Sequence, residues 1–283
     1  MTTLAGELAP PRAARTRVPL GLAAGAAMLV ALLGGSALAP VLTSYDPYAQ
    51  NLNAMLLPPS AAHWFGTDNY GRDVFTRVLY GAAIDLRIAV LAVVFPFVFG
   101  VVAGAVAGYL GGWADAAVMR AVDVITAVPF MVLVIAIVAF LGPGELNILV
   151  AIGVVDWIVF ARLVRGEVLR DKNLEYVTAL RALGFSRARI VLRHLLPNAL
   201  PPAAVFLASD IVLVILTTST LGFLGLGVRP PAPEWGLMIS EGRTFIYTGW
   251  WAAAMPGFAC MYAGIAFILL GDGLADLLRV RGQ

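Results

Sequence analysis

Six apolar runs constrain this chain more than any other feature: residues 18–41, 88–110, 124–141, 146–163, 200–221 and 250–271. A helix needs about 20 mostly apolar residues to cross a bilayer. In lipid it is also one of the few structures that satisfies its own backbone hydrogen bonds. Each run is therefore expected to be a spanning helix. The composition agrees, because 60% hydrophobic residues, 13% charged residues and a mean hydropathy of +0.88 exclude an ordinary soluble domain. A net charge of +2 is too small to point to nucleic acid.

Sidedness follows from the basic residues. Residues 162–202 hold eight of the nineteen Lys and Arg residues, so this hydrophilic island is expected to be a cytoplasmic loop. Arg12, Arg15 and Arg17 in the N-terminal tail, Arg120 in a short turn at 111–123, and Arg279 and Arg281 join it, which puts 14 basic residues inside. Arg72, Arg77, Arg87, Arg229 and Arg243 remain outside. The expected order is a cytoplasmic tail at 1–17, a first span at 18–41 that is too long for a cleaved signal, and an external segment at 42–86. A five-helix core at 87–273 with a cytoplasmic loop at 164–199 follows, and then a cytoplasmic tail at 274–283. Gly21 and Gly25 in the first span, and Gly100, Gly104 and Gly108 in the second, are spaced for close helix contact within a bundle or with a sister subunit.

The island has its own pattern. Leu174, Val177, Leu180 and Leu183 recur at three-residue steps, which predicts a short amphipathic helix over 170–183. Gly184 suits a left-handed C-terminal turn. Ser186 can cap a second helix carrying Ile190, Val191, Leu192 and Leu195, with a stop expected at Pro197.

Ala179, Gly184, Leu196 and Pro197 resemble the EAA loop of ABC-transporter permeases, and EYVTALRALG with HLLPNALPP resembles its peptide and nickel importer version. Thr178 and Leu180 depart from the pattern, standing where an acidic residue and an alanine are usual. The resemblance implies a coupling helix that docks into a groove on an ATPase subunit. The coupling positions would be Glu175, Tyr176, Ala179, Arg181, Ala182, Gly184, Ser186, His194 and Pro197. A second, distant stretch, HWFGTDNYGRDVFTRVLYGAAIDL, resembles the external hallmark of the same family at His63, Gly66, Thr67, Asp68, Gly71, Arg72, Asp73, Arg77 and Gly81. Ala83 and Asp85 stand there in place of the usual arginine and serine. The Gly- and Pro-rich FLGLGVRPPAPEWGLMISEGR and the terminal GDGLAD are also similar to that family.

Polar groups inside spans are expensive and mark candidate sites. Asp156 lies near the middle of the fourth run, where either structural hydrogen bonding or a role in a pathway fits. Asp210, Thr217 and Thr218 on the fifth suggest a face turned to a wet passage, although hydroxyls also bond their own helix backbone. Asp85 could pair with Arg87 or face a cationic substrate. His63 reads as a hydrogen-bonding surface residue, and no spacing suggests a metal site. Cys260, the only cysteine, reads as a buried thiol. Lys172, the only lysine, is followed by Asn173, so there is no Walker phosphate loop. There is no Ser/His/Asp arrangement either, and the chain reads as non-catalytic.

The expected fold is all-α and membrane-embedded, with six transmembrane helices of which the last five form an ABC-importer permease core. The resemblance implies one permease subunit of an importer for di- or oligopeptides in the bacterial inner membrane. Its partners would be a second homologous permease, two ABC ATPases that bind ATP and Mg on the cytoplasmic side, and an external solute-binding protein. The same machinery could carry nickel chelates or glutathione. A secondary transporter acting alone would show hydropathy repeats, and none is evident.

Overall fold

The fold follows the apolar runs, but the helices extend well beyond them. The computed structural model describes residues 19–281, and the tail at 1–17 lies outside them, as do the side chains of Arg279 and Arg281. The first helix, α1 (Leu20–Ala37), continues into a single turn, α2 (Ala39–Leu42). The segment after it is irregular up to Asp73. The helix α3 (Val74–Leu110) then runs for 37 residues and begins well before the apolar run at 88, because the Asp73 carboxylate caps it by accepting from the Thr76 N–H at 2.7 Å.

The third span departs from expectation. Residues 111–123, expected as a turn, form most of α4 (Gly112–Thr126), which meets α5 (Phe130–Leu141) at a bend of 83°. Gly111 and Gly112, at φ +65° and +55°, let the chain double back after α3. Pro129 disfavours helical backbone at Val128 and starts α5 afresh. Five helices are thus long and apolar enough to span, or six if the bent pair counts as one.

The remaining elements are α6 (Glu145–Asp171), α7 (Glu175–Ala182), α8 (Arg187–Ile190), α9 (Leu196–Phe223), α10 (Trp235–Gly242) and α11 (Trp251–Arg281). Two expectations about the island are corrected here. Residues 170 and 171 end α6, so α7 starts later than expected, after Leu174. Pro197 stops nothing, because it sits in the first turn of α9. Between α8 and α9 lies one wide π-turn, Val191–Leu195, in which the Leu196 N–H reaches back to the Val191 carbonyl. The missing N–H of Pro197 therefore falls at a helix start, where it costs little.

Packing is closest between α3 and α6. A side chain at Gly100 would come within 2.4 Å of the Trp157 carbonyl, and one at Gly104 within 2.4 Å of the Ala161 carbonyl. The glycine stripe therefore serves a helix of the same chain. On the other side, Gly25 of α1 meets the backbone of α11 at Ala266 and Leu270. Val74, Ile88, Ile148, Ile152, Val214, Ile215, Trp235 and Ala263 belong to the main apolar core. A second core joins Val101, Val164, Val168, Val177, Ile190 and Leu195 beneath the loop.

Candidate functional site

The elbow around Gly184 is built from local hydrogen bonds. Gly184 adopts φ +81°, its N–H donates to the Arg181 carbonyl, and the Phe185 N–H reaches the Leu180 carbonyl at 3.1 Å. These two bonds form a Schellman turn, which favours glycine because a Cβ is strained at that φ. Nothing lies within 4 Å of where that Cβ would stand, so the requirement is for backbone conformation alone. Ser186 then caps α8 by accepting from the Arg189 N–H at 3.3 Å.

The inner face of the elbow is tied to the bundle. Val177 and Ile190 are fully buried in the second core. Lys172 Nζ donates to the Gly108 carbonyl at 2.7 Å, and the Arg181 guanidinium lies 5.5 Å above the Tyr109 ring. Asn198 of α9 reaches Asp171 Oδ2 and the Tyr176 hydroxyl at 3.4 and 3.5 Å.

The expected four-residue apolar face is only partly used. Val177 is buried and Leu180 half-buried, whereas Leu174 and Leu183 are exposed, the latter at 74%. Leu174 precedes the helix and Leu183 follows it, so neither shares its face. Glu175, Tyr176, Ala179, Arg181, Ala182, Gly184, Ser186 and Pro197 are exposed together. His194 is half-buried and turns its ring edge towards Phe185, with centroids 6.1 Å apart. It therefore stands apart from the exposed set.

The external motif is a buried ionic knot. Asp68 accepts from the Tyr70 and Arg72 N–H groups at 2.8 and 3.0 Å, and from Arg72 Nε at 2.6 Å. Arg72 also donates to Glu241 at 2.6 Å. Arg77, fully buried, lies 3.6 Å from Asp68 and donates to the Pro47 and Pro231 carbonyls. Thr67 accepts from the Leu57 N–H, while its own carbonyl accepts from Trp251 Nε1 at 2.9 Å. Gly66 and Gly71 have φ near +70°, and a side chain at Gly71 would overlap the Asn51 carbonyl. His63 Nδ1 and Asp73 Oδ2 are 2.8 Å apart. His63 is therefore a half-buried partner of the helix cap rather than a surface residue.

Of the two roles open to Asp85, the pairing with Arg87 does not form. Arg87 pairs instead with Glu145 at 2.6 Å, and Asp85 is buried against the start of α10, where its Oδ2 accepts from the Trp235 N–H at 3.2 Å. Glu234 caps that helix through the Gly236 and Leu237 N–H groups, both at 2.7 Å. Burial pushes the Glu234 carboxyl above the usual range. No local spacing announces Glu241, whose partner Arg72 lies 169 positions away, whereas Glu234 is a local helix cap with partners two and three residues on.

Asp156 lies on α6 and Asp210 on α9, two helices in contact with each other. Both are buried, and neither oxygen of Asp210 has a hydrogen-bond partner in the protein. Thr217 and Thr218 hydroxyls, two turns further along α9, are buried and unpartnered too. Cys260 is buried 3.4 Å from the Ser219 hydroxyl. No group of three metal-ligating side chains occurs among the described residues.

Residues 100–281 match the family described as binding-protein-dependent transport system inner membrane component. The chain is 42% identical over 253 residues to the probable D,D-dipeptide transport system permease protein DdpC of Escherichia coli (strain K12), covering 89% of this chain and 85% of that protein. It is 46% identical over 226 residues to the glutathione transport system permease protein GsiD of Shigella flexneri serotype 5b (strain 8401), covering 79% and 75%. In fold it is similar to a chain of the inward-facing MetNI methionine ABC transporter, with a TM-score of 0.55 at 21% identity, over 72% of this chain and 95% of that one.

Proposed function

This chain belongs to the family of binding-protein-dependent transport system inner membrane components, and from that premise we propose that it forms half of the translocation pathway of an ATP-driven peptide importer. It is a multi-pass, non-catalytic membrane subunit. The observation that carries the coupling role is the elbow at Gly184, whose inner face is fixed to α3, α6 and α9 while its outer face is exposed. A rigid helix pair fastened to spanning helices can transmit the closure of a pair of ATPases into rocking of the bundle. The ATPases bind ATP and Mg; a second permease completes the pathway, and an external binding protein delivers the solute. Both termini are cytoplasmic.

Peptide as cargo rests on the dipeptide permease relative, and the glutathione permease relative supports glutathione, itself a tripeptide, as the second reading. Asp156, Asp210, Thr217 and Thr218 are the residues assigned to the pathway, since buried polar groups without partners suit a conformation in which they meet water or solute.

The test is to purify the tagged full chain in mild detergent, identify what travels with it, and assay ATP hydrolysis and uptake in vesicles. A second permease and ATPase chains are expected, with uptake of dipeptides competed by glutathione only if the second reading holds. A chain that is recovered alone and transports without ATP would overturn the proposal.

A further inference from the structure

A cavity of about 420 Å³ lies between the cytoplasmic end of α3 and the elbow, lined by Tyr109, Leu110, Arg181, Phe185, Arg187 and Ile190. Its charge is of one sign, since two arginines line it and no carboxylate does. Neither Arg181 nor Arg187 takes part in an ion pair among the described residues. Arg181 has one weak acceptor, the Lys172 carbonyl at 3.3 Å, and is held over the Tyr109 ring; Arg187 has no acceptor among the described side-chain contacts. Arg189 stacks on Phe185 at 4.6 Å and adds positive charge beside the cavity. Two guanidinium groups with free donors lining one cavity form a chemistry that recognises a phosphate.

The depth of the cavity points to the source of that phosphate. Leu110 ends the apolar stretch of α3 and is half exposed, and Trp113, three residues on, is 84% exposed. An exposed tryptophan at the end of a span sits at headgroup level. One wall of the cavity is therefore continuous with the membrane-facing surface. The exposed apolar residues that suit a protein partner, Leu183 and Leu192, lie outside the lining.

We infer that this cavity binds the phosphodiester of an anionic phospholipid from the cytoplasmic leaflet. Bound there, the lipid bridges Tyr109 of α3, Arg181 of α7 and Arg187 of α8, and so stiffens the junction between a spanning helix and both arms of the elbow. The inference rests on the membrane reading and shares Arg181 with the coupling positions, so R187Q, at a residue outside that set, separates the two roles.

Native mass spectrometry of the full chain, titrated with phosphatidylglycerol, phosphatidylcholine or inorganic phosphate, tests it. The wild type is expected to retain phosphatidylglycerol about thirtyfold better than phosphatidylcholine, the scale of two cationic contacts at a membrane surface. Inorganic phosphate at the same concentration is expected to leave that retention unchanged. The preference is expected to vanish in R181Q/R187Q and to fall several-fold in R187Q, whose side chain has no partner whose loss could unfold the chain. It is expected to survive in R120Q, an exposed arginine on α4 outside the cavity. Four results would overturn the inference: no headgroup preference in the wild type, an unchanged preference in the double variant, equal displacement by inorganic phosphate, or loss of the lipid when ATPase chains are bound. The last would make the cavity a protein-docking site.

Discussion

Lys172 Nζ donates to the Gly108 carbonyl at 2.7 Å, so the chain's single lysine, placed just after α6, closes the C-terminal end of α3. The cation also faces the negative end of that helix dipole. The two helices that pack most closely in the bundle are thereby joined again where the elbow begins.

Lys172→Met should remove that bond while keeping much of the aliphatic stem. A charged hydrogen bond of this kind contributes about 1.5–3 kcal/mol, and partial exposure places the expected loss near the lower figure. Thermal unfolding of the detergent-solubilised chain checks the stability, and vesicle uptake checks the transmission. A variant that melts and transports like the wild type would show the contact to be dispensable.

Gly184 separates a need for conformation from a need for space. With no atom within 4 Å of the would-be Cβ, the cost of a side chain is the left-handed φ alone, about 1–2 kcal/mol for a β-branched residue. Gly184→Val should abolish uptake while leaving membrane insertion intact. Gly184→Asn should keep most of it, because asparagine tolerates that region. Equal loss in both variants would mean that bulk at the elbow, not its turn, is the constraint.

Arg72→Ala removes the nearer of the two guanidinium groups shared by Asp68 and Glu241, leaving them Arg77 at 3.6 and 3.8 Å. Removing one partner from a buried ionic group costs about 3–5 kcal/mol. Part of that is relieved here because Glu241 is partly exposed. The external segment should come loose before the bundle does. Limited proteolysis within residues 44–72 is the measurement, and wild-type resistance to cleavage would contradict the role given to the knot.

Asp210→Ala should lower uptake more than it lowers assembly with the partner chains, since its carboxyl makes no bond to protein that the substitution would break. Comparing uptake with co-purified yield for the variant provides the check. Uptake kinetics that match the wild type would return Asp210 to a structural role beside Asp156.

Local chemistry was legible in the sequence. Apolar runs of about twenty residues announce spanning helices because lipid offers the backbone no other partner. Gly184 and Ser186 announce a turn and a cap because each depends on residues within a few positions of itself, while the glycines of α3 announce a close approach whose partner, α6, only folding supplies. Only the tertiary structure decided the rest. The local sequence offers Asp85 its neighbour Arg87 or a cationic substrate, but folding carries it to Trp235, 150 positions away, because a carboxylate takes the donors that packing presents. Arg72 found Glu241 at a separation of 169, with no sequence pattern to announce it. Pro197 was read as a stop because proline breaks helices in general, yet one wide turn placed it at a helix start. The 83° bend at Pro129 belongs to the same class, since a proline says where a helix restarts and only packing sets the angle at which it does so.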